Sequence, residues 1–259
     1  KEIKDVTIPL YKILIPFVFV IKLLEIIGAV DLIAKVFEPL MSLIGLPAEF
    51  GIIWVTAIVV NIYAALILFV NLLPFVDASV AQITILSVAM LFAHNLAVES
   101  AISKSAGVSF FFTVFFRLIS AFFVCWILNL IYTYFNYLNQ PFATSFTVEL
   151  PQPGVLFWLQ DQALYLFYIF IIVAALVTLL EILKYVGVEN FLKKILVPPL
   201  RFFGISDSAM NIVIVGMTMG LQFGGGILIK EVNSGKIDKQ SVFLSILMIN
   251  LIHAVIEDT

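Results

Sequence analysis

The chain has 259 residues, 63% of them hydrophobic and 12% charged, with a mean hydropathy of +1.15 and a formal net charge of −3. A soluble globular domain carries roughly 25% charged residues, so the composition excludes a cytosolic enzyme and a disordered segment, and the slight acidity points to no nucleic acid. It predicts an all-α integral membrane protein: in lipid only helices and closed barrels satisfy their own backbone hydrogen bonds, and these apolar runs are too long for barrel strands alternating over about 10 residues.

A hydrocarbon core about 30 Å thick needs about 20 apolar residues of helix. In chain order the apolar segments are 9–28, 51–75, 81–98, 108–135, 162–183, 208–229 and 241–256. The first contains Lys12 and Lys22, which suits a resident helix and not a cleaved signal with an uncharged centre. After it, residues 30–40 place Asp31, Lys35 and Glu38 at spacings of three and four, so the charges share one face of an amphipathic helix at the membrane surface. Residues 189–203, with Lys193, Lys194 and Arg201, read as its counterpart. The single cysteine, Cys125, sits in an apolar run, so neither a disulfide framework nor a cysteine-based metal site is expected.

An offset of 159 pairs Gly28 with Gly187, Lys35 with Lys194, Pro39 with Pro198, Gly45 with Gly204, and His94 with His253, the only histidines in the chain. With one residue of slippage Glu99 pairs with Glu257. Glycine, proline and histidine recurring at one offset predict an internal repeat.

Charge asymmetry bears on whether the copies are parallel or inverted. If every apolar segment spans, the basic residues between them divide 5 against 6 and favour no orientation. If 51–75 and 208–229 are re-entrant hairpins, ten fall on one side and Lys35 alone on the other, as the positive-inside rule requires. Each half then has three true spans, and an odd number inverts the second copy. Gly216, Gly220 and Gly224 to Gly226 suit a non-helical tip in the second hairpin. Around Asn61 and Tyr63 the break is mild, and a plain span is the alternative there.

His253 and Glu257 are four apart and share a helix face, whereas His94 and Glu99 are five apart and would diverge by about 140° on an unbroken helix. The latter pair meet only if the helix unwinds near Asn95. Two readings follow: imidazole and carboxylate together bind a polar solute, a proton or a cation, or these residues cap helix ends and the carboxylates face water. Gln222 at the glycine-rich tip either hydrogen-bonds a solute or sits beside small residues that pack helices, with Gly216 and Gly220 as one such pair. Arg117 pairs with Glu99 or Glu25, snorkels to a headgroup, or touches solute. No zinc-protease, phosphate-loop, dinucleotide or nucleophile-elbow motif is present, so no enzyme is expected.

The motifs His94-Asn95-Leu96-Ala97-Val98-Glu99-Ser100 and His253-Ala254-Val255-Ile256-Glu257-Asp258-Thr259, the latter preceded by Gly220-Leu221-Gln222-Phe223-Gly224-Gly225-Gly226, resemble the nucleoside-recognition or Gate domain family of bacterial membrane proteins. Relatives of that family include concentrative nucleoside transporters and the membrane part of ferrous iron transporters. The resemblance spans nearly the whole chain in pattern and these short motifs in residues. It implies an inverted-repeat bundle with two re-entrant hairpins, two interfacial helices and two broken helices. The cysteine-containing motif of the iron transporters is absent, and where the nucleoside transporters place Gln and Glu in the first hairpin this chain has Asn61 and Tyr63.

The resulting expectation is a first repeat over 1–135, an extracytoplasmic connector over 136–161, and a second repeat over 162–259 that lacks its last span. The reading is a multi-pass plasma-membrane transporter or permease component. Its small polar solute, nucleoside-like by the resemblance, would lie among Asn61, His94, Glu99, Ser100, Gln222, His253, Glu257 and Asp258. No metal or other cofactor is expected beyond a coupling sodium ion or proton. Besides the lipid bilayer and the solute, the expected partner is a second copy or another membrane subunit. The alternative is a membrane scaffold without transport activity.

Overall fold

The computed structural model describes residues 8, 11–12, 15–16, 18–20, 22–23, 26–143, 154–186, 188–206, 209–210, 213–214, 216–217 and 238–257. Described positions between Ile8 and Ile26 are helical. Then follow α1 (Ala29–Leu43), α2 (Phe50–Val59), α3 (Ile62–Leu72) with a short 3₁₀ turn (Leu73–Phe75), α4 (Val80–Phe92), α5 (Leu96–Ser105), α6 (Phe110–Phe135), α7 (Val155–Val186), α8 (Val188–Phe202) and α9 (Lys239–Glu257). Among the described residues two stretches, Val80–Ser105 and Phe110–Phe135, are long and apolar enough to cross a membrane.

The local structure repeats at the offset of 159. Helix α1 ends with Leu46 N–H on Met41 C=O at 2.9 Å and Gly45 N–H on Ser42 C=O at 3.1 Å; α8 ends with Ile205 N–H on Leu200 C=O at 3.1 Å and Gly204 N–H on Arg201 C=O at 3.0 Å. These are the paired bonds of a Schellman stop, which needs a left-handed residue at the turn. Gly45 has φ +73° and Gly204 φ +83°. The following helices also start alike. Ser79 Oγ accepts from Gln82 N–H at 3.2 Å, and Gln82 Oε1 accepts in return from Ser79 N–H at 2.9 Å, a reciprocal capping box. Asp238 Oδ1 accepts from Ser241 N–H at 2.9 Å and starts α9. Gly28, in the left-handed region with φ +70°, precedes α1; its counterpart Gly187 lies outside the described residues.

The chain forms two compact units, each drawing on both halves of the sequence: residues 1–87 with 125–182, and residues 88–124 with 183–259. In the first, α2 and α3 fold back on each other. The ring centroids of Phe50 and Phe69 are 6.3 Å apart, whereas a continuous helix would separate them by about 28 Å. The reversal falls at Asn61, whose extended backbone (φ −174°, ψ 173°) breaks the helix and whose Oδ1 caps α3 by accepting from Ala64 N–H at 2.8 Å. Gly51 lies against Phe37, and Gly45 lies against the side-chain amide of Asn129, so a Cβ at either position meets its neighbour. Val18, Ala64 and Ile67 form a small core with Tyr11, Trp158 and Leu166 packed on it.

Helix α7 starts at Val155, seven residues earlier than the apolar run at 162 suggests. The reason is visible at Gln162, whose Nε2 donates to Asn71 Oδ1 at 3.1 Å while Asn71 Nδ2 donates to Gln162 Oε1 at 3.4 Å. A reciprocal amide pair lets a polar residue enter an otherwise apolar helix, because both amides meet part of their need without water.

The second unit is held by an apolar core of Leu200, Ile205, Ala209, Val213, Ile214 and Met217 against Val242, Ile246 and Ile249 of α9. Gly216 belongs to this packing: a Cβ there would stand 2.6 Å from Ile249 Cδ1. Of the glycine-rich segment, only Ala209 to Met217 are partly described; Gly220 and Gly224 to Gly226 are outside the described residues.

Candidate functional site

The site is built where α4 stops and α5 begins. Ala93 to Asn95 leave the helical path, and Asn95 takes a left-handed conformation (φ 45°, ψ 37°) that a short polar residue tolerates better than a branched one. This break resolves the five-residue spacing between His94 and Glu99. Their side chains meet, with His94 Nε2 3.2 Å from Glu99 Oε1. It also frees carbonyls at the end of α4. Met90 C=O, at 3.0 Å, faces His94 Nδ1, and Phe92 C=O accepts from Arg117 Nε at 2.9 Å.

His253, on α9, arrives at the same carboxylate oxygen. Its Nε2 is 3.4 Å from Glu99 Oε1, and its Nδ1 is 2.7 Å from the carbonyl of Ile249, four residues back. The two imidazole rings lie 5.4 Å apart at 47°. Arg117, from α6, donates through Nη1 to the other carboxylate oxygen, Glu99 Oε2. Of the four residues, the most exposed, His94, retains 6% of its surface and Arg117 none.

Glu99 does not face water, and Arg117 pairs with it instead of snorkelling. An ion pair at this depth stands only because each charge is met by the other and by further hydrogen bonds. Arg117 meets a carboxylate and a carbonyl, and the carboxylate meets a guanidinium and two imidazoles. One turn further on, Ser103 Oγ donates to Glu99 C=O at 2.9 Å and accepts from Asn250 Nδ2 at 3.1 Å. The Asn250–Ser103 bond joins α5 to α9, and Asn250 also donates within its own helix to Ile246 C=O at 2.8 Å.

Of the residues singled out from sequence, His94, Glu99 and His253 come together. Ser100 is buried beside Glu99 in α5, its hydroxyl without a hydrogen-bond partner among the described residues. Asn61 belongs to the other compact unit, with its side-chain oxygen engaged in capping α3. Gln222 and Asp258 lie outside the described residues; Glu257 is the last residue of α9, and its side chain is not described. Arg117 as the partner of Glu99, and Asn250 and Ser103 behind it, complete the site. Asn250 had no signal of its own in the sequence, since its 159-offset mate is Leu91.

Over 251 residues the chain is 27% identical to the uncharacterized membrane protein YvoD of Bacillus subtilis (strain 168), an alignment covering 96% of this chain and 79% of that protein. The likeness runs through both compact units and agrees with the two helices long enough to span. This is a membrane-associated protein. No protein-family model and no solved structure matches the chain.

Proposed function

We propose that the chain is a multi-pass plasma-membrane transporter or permease component, built as an inverted repeat with two re-entrant hairpins. In this reading it binds a small polar solute and couples its passage to a proton or cation at the cluster of His94, Glu99 and His253. The observation that carries it is the convergence of two histidines, 159 residues apart, on one buried carboxylate oxygen. An ionisable side chain at the bilayer centre costs about 2.5 to 3.5 kcal/mol on insertion scales, which is why such residues mark ion and substrate paths. Arg117 alone would neutralise Glu99; two imidazoles on the remaining oxygen are more than pairing requires. The fold-back at Asn61 and the caps and stops recurring at one offset support the hairpin and repeat architecture. The nucleoside-like solute class rests on the Gate-family motifs.

The test is uptake into proteoliposomes of labelled nucleosides, bases and amino acids, with and without an imposed proton or sodium gradient. Gradient-driven uptake of one class, abolished in Glu99→Gln, supports the proposal. A second reading, a membrane scaffold, is favoured by one feature: Glu99 is fully met by Arg117 and both histidines, as a purely structural lock would be. Uptake of no class, with Glu99→Gln merely less stable than the parent, selects the scaffold.

A further inference from the structure

The orientation of the two imidazoles restricts what lies between them. A backbone carbonyl only accepts, so the ring nitrogens facing Met90 C=O and Ile249 C=O, at 3.0 and 2.7 Å, both carry hydrogen. In a neutral imidazole the other nitrogen is then a bare lone pair. Nε2 of His94 and Nε2 of His253 both face Glu99 Oε1, so three lone-pair atoms converge on one small volume. Something positive must join them. A proton on each ring satisfies both contacts, as two imidazolium groups donating to one carboxylate oxygen, and a single dication coordinated by all three atoms does the same with the rings left neutral.

We infer that His94 Nε2, His253 Nε2 and Glu99 Oε1 form a binding site for a first-row transition-metal dication of the zinc class, with its fourth position left to water or solute. The inference rests on reading this cluster as a cation site, and names the cation. Metal–ligand lengths of about 2.0 to 2.2 Å put the ligands of a tetrahedral centre about 3.3 to 3.5 Å apart. The two nitrogen-to-oxygen edges here are 3.2 and 3.4 Å. One ligand atom from each of the three residues lies within 4.8 Å of the others, so the edge between the histidines is the one that shortens on binding. The surroundings are those of a metal site as well. Ligating histidines donate their second ring N–H to a carbonyl or carboxylate, and ligating carboxylates are themselves hydrogen-bonded. Both histidines here do the first, and Arg117 on Oε2 does the second, leaving Oε1 as a single donor. Two imidazoles and one carboxylate select zinc, cobalt, nickel or copper over magnesium and calcium, which need more oxygen ligands. Three protein ligands match a site that keeps an open position, not a closed structural one. Arg117 adds a fixed positive charge, which weakens the site relative to one with an unpaired carboxylate and makes release easier.

The experiment uses the full chain, purified in detergent with any histidine tag removed, stripped by chelator and titrated with Co²⁺. The expected result is one Co²⁺ per chain with the strong visible d–d bands of a tetrahedral centre, competed away by Zn²⁺ and not by Mg²⁺. His94→Asn and His253→Asn, each checked for helicity and a single size-exclusion peak, are each expected to lower affinity at least tenfold; two variants guard against one failing to fold. Folded parent protein that takes up no stoichiometric Co²⁺, or takes it up without these bands, overturns the inference. The uptake assay separates the two ideas. Gradient-driven uptake by parent protein that takes up no stoichiometric Co²⁺ refutes the metal and leaves the transporter. Stoichiometric Co²⁺ without uptake of any solute keeps the metal site and refutes coupled transport.

Discussion

His94 and His253 stand 159 residues apart in the chain and 5.4 Å apart between ring centroids, and each holds the same pose, with Nδ1 on the carbonyl four residues back and Nε2 on Glu99 Oε1. The poses match because both histidines follow a stretch of helix whose carbonyl, one turn earlier, points along the same face. Fixing Nδ1 fixes which nitrogen the ring presents to the carboxylate. In ¹⁵N spectra of histidine-labelled protein, both rings should therefore show a hydrogen on Nδ1 that exchanges slowly with solvent. A rapidly exchanging Nδ1 hydrogen on either ring would contradict the arrangement.

Arg117 and Glu99 form an ion pair away from water, and removing one partner leaves the other uncompensated. Arg117→Leu is expected to destabilise the protein by about 3 to 5 kcal/mol, the cost of breaking a buried pair from one side. The double variant Arg117→Leu with Glu99→Leu should lose less than the sum of the two single variants, since neither charge is then stranded. Thermal unfolding of the four proteins in one detergent measures this, and additive losses would mean that the pair is not coupled.

Gly45 and Gly204 share a left-handed backbone but not their surroundings. Gly204→Ala meets nothing closer than 3.8 Å, so its cost is the conformational one, about 1 to 2 kcal/mol. Gly45→Ala adds a clash with the Asn129 side chain and should cost more. Equal losses in melting temperature would show that Asn129 gives way freely.

The helix starts at Ser79 and Asp238 also stand at the offset of 159, with different chemistry. Ser79→Ala removes a reciprocal cap and should cost about 1 kcal/mol. Asp238, at the exposed start of α9, is held below the usual carboxylate range by hydrogen bonds from the Ser241 side chain and backbone. Its depressed value means that the cap is at full strength above the ordinary aspartate range and is lost as pH falls through the lowered one. The difference in melting temperature between parent and Asp238→Ala should accordingly shrink in acid. A difference independent of pH would show that the carboxylate charge is not what caps the helix.

Much of this protein follows from sequence alone. Hydropathy set the class, because 63% apolar residues in long runs leave no soluble alternative. Glycine, proline and histidine recur at one offset, as do the helix stops at Gly45 and Gly204, and the five-residue spacing of His94 and Glu99 required a break at Asn95 before the two could meet. These are legible because they are local: helix phase, turn chemistry and burial preference act over a few residues. Which side chains share a carboxylate is not local. Arg117 suited two acids, and only packing selected Glu99. Asn61 had the composition of a binding residue and became a helix cap, and Asn71 found Gln162 across 91 positions. An apolar helix presents many faces of nearly equal hydropathy, so sequence periodicity cannot say which face turns inward. That choice is made by the fit of neighbouring helices, and it brought His253 to the oxygen already facing His94.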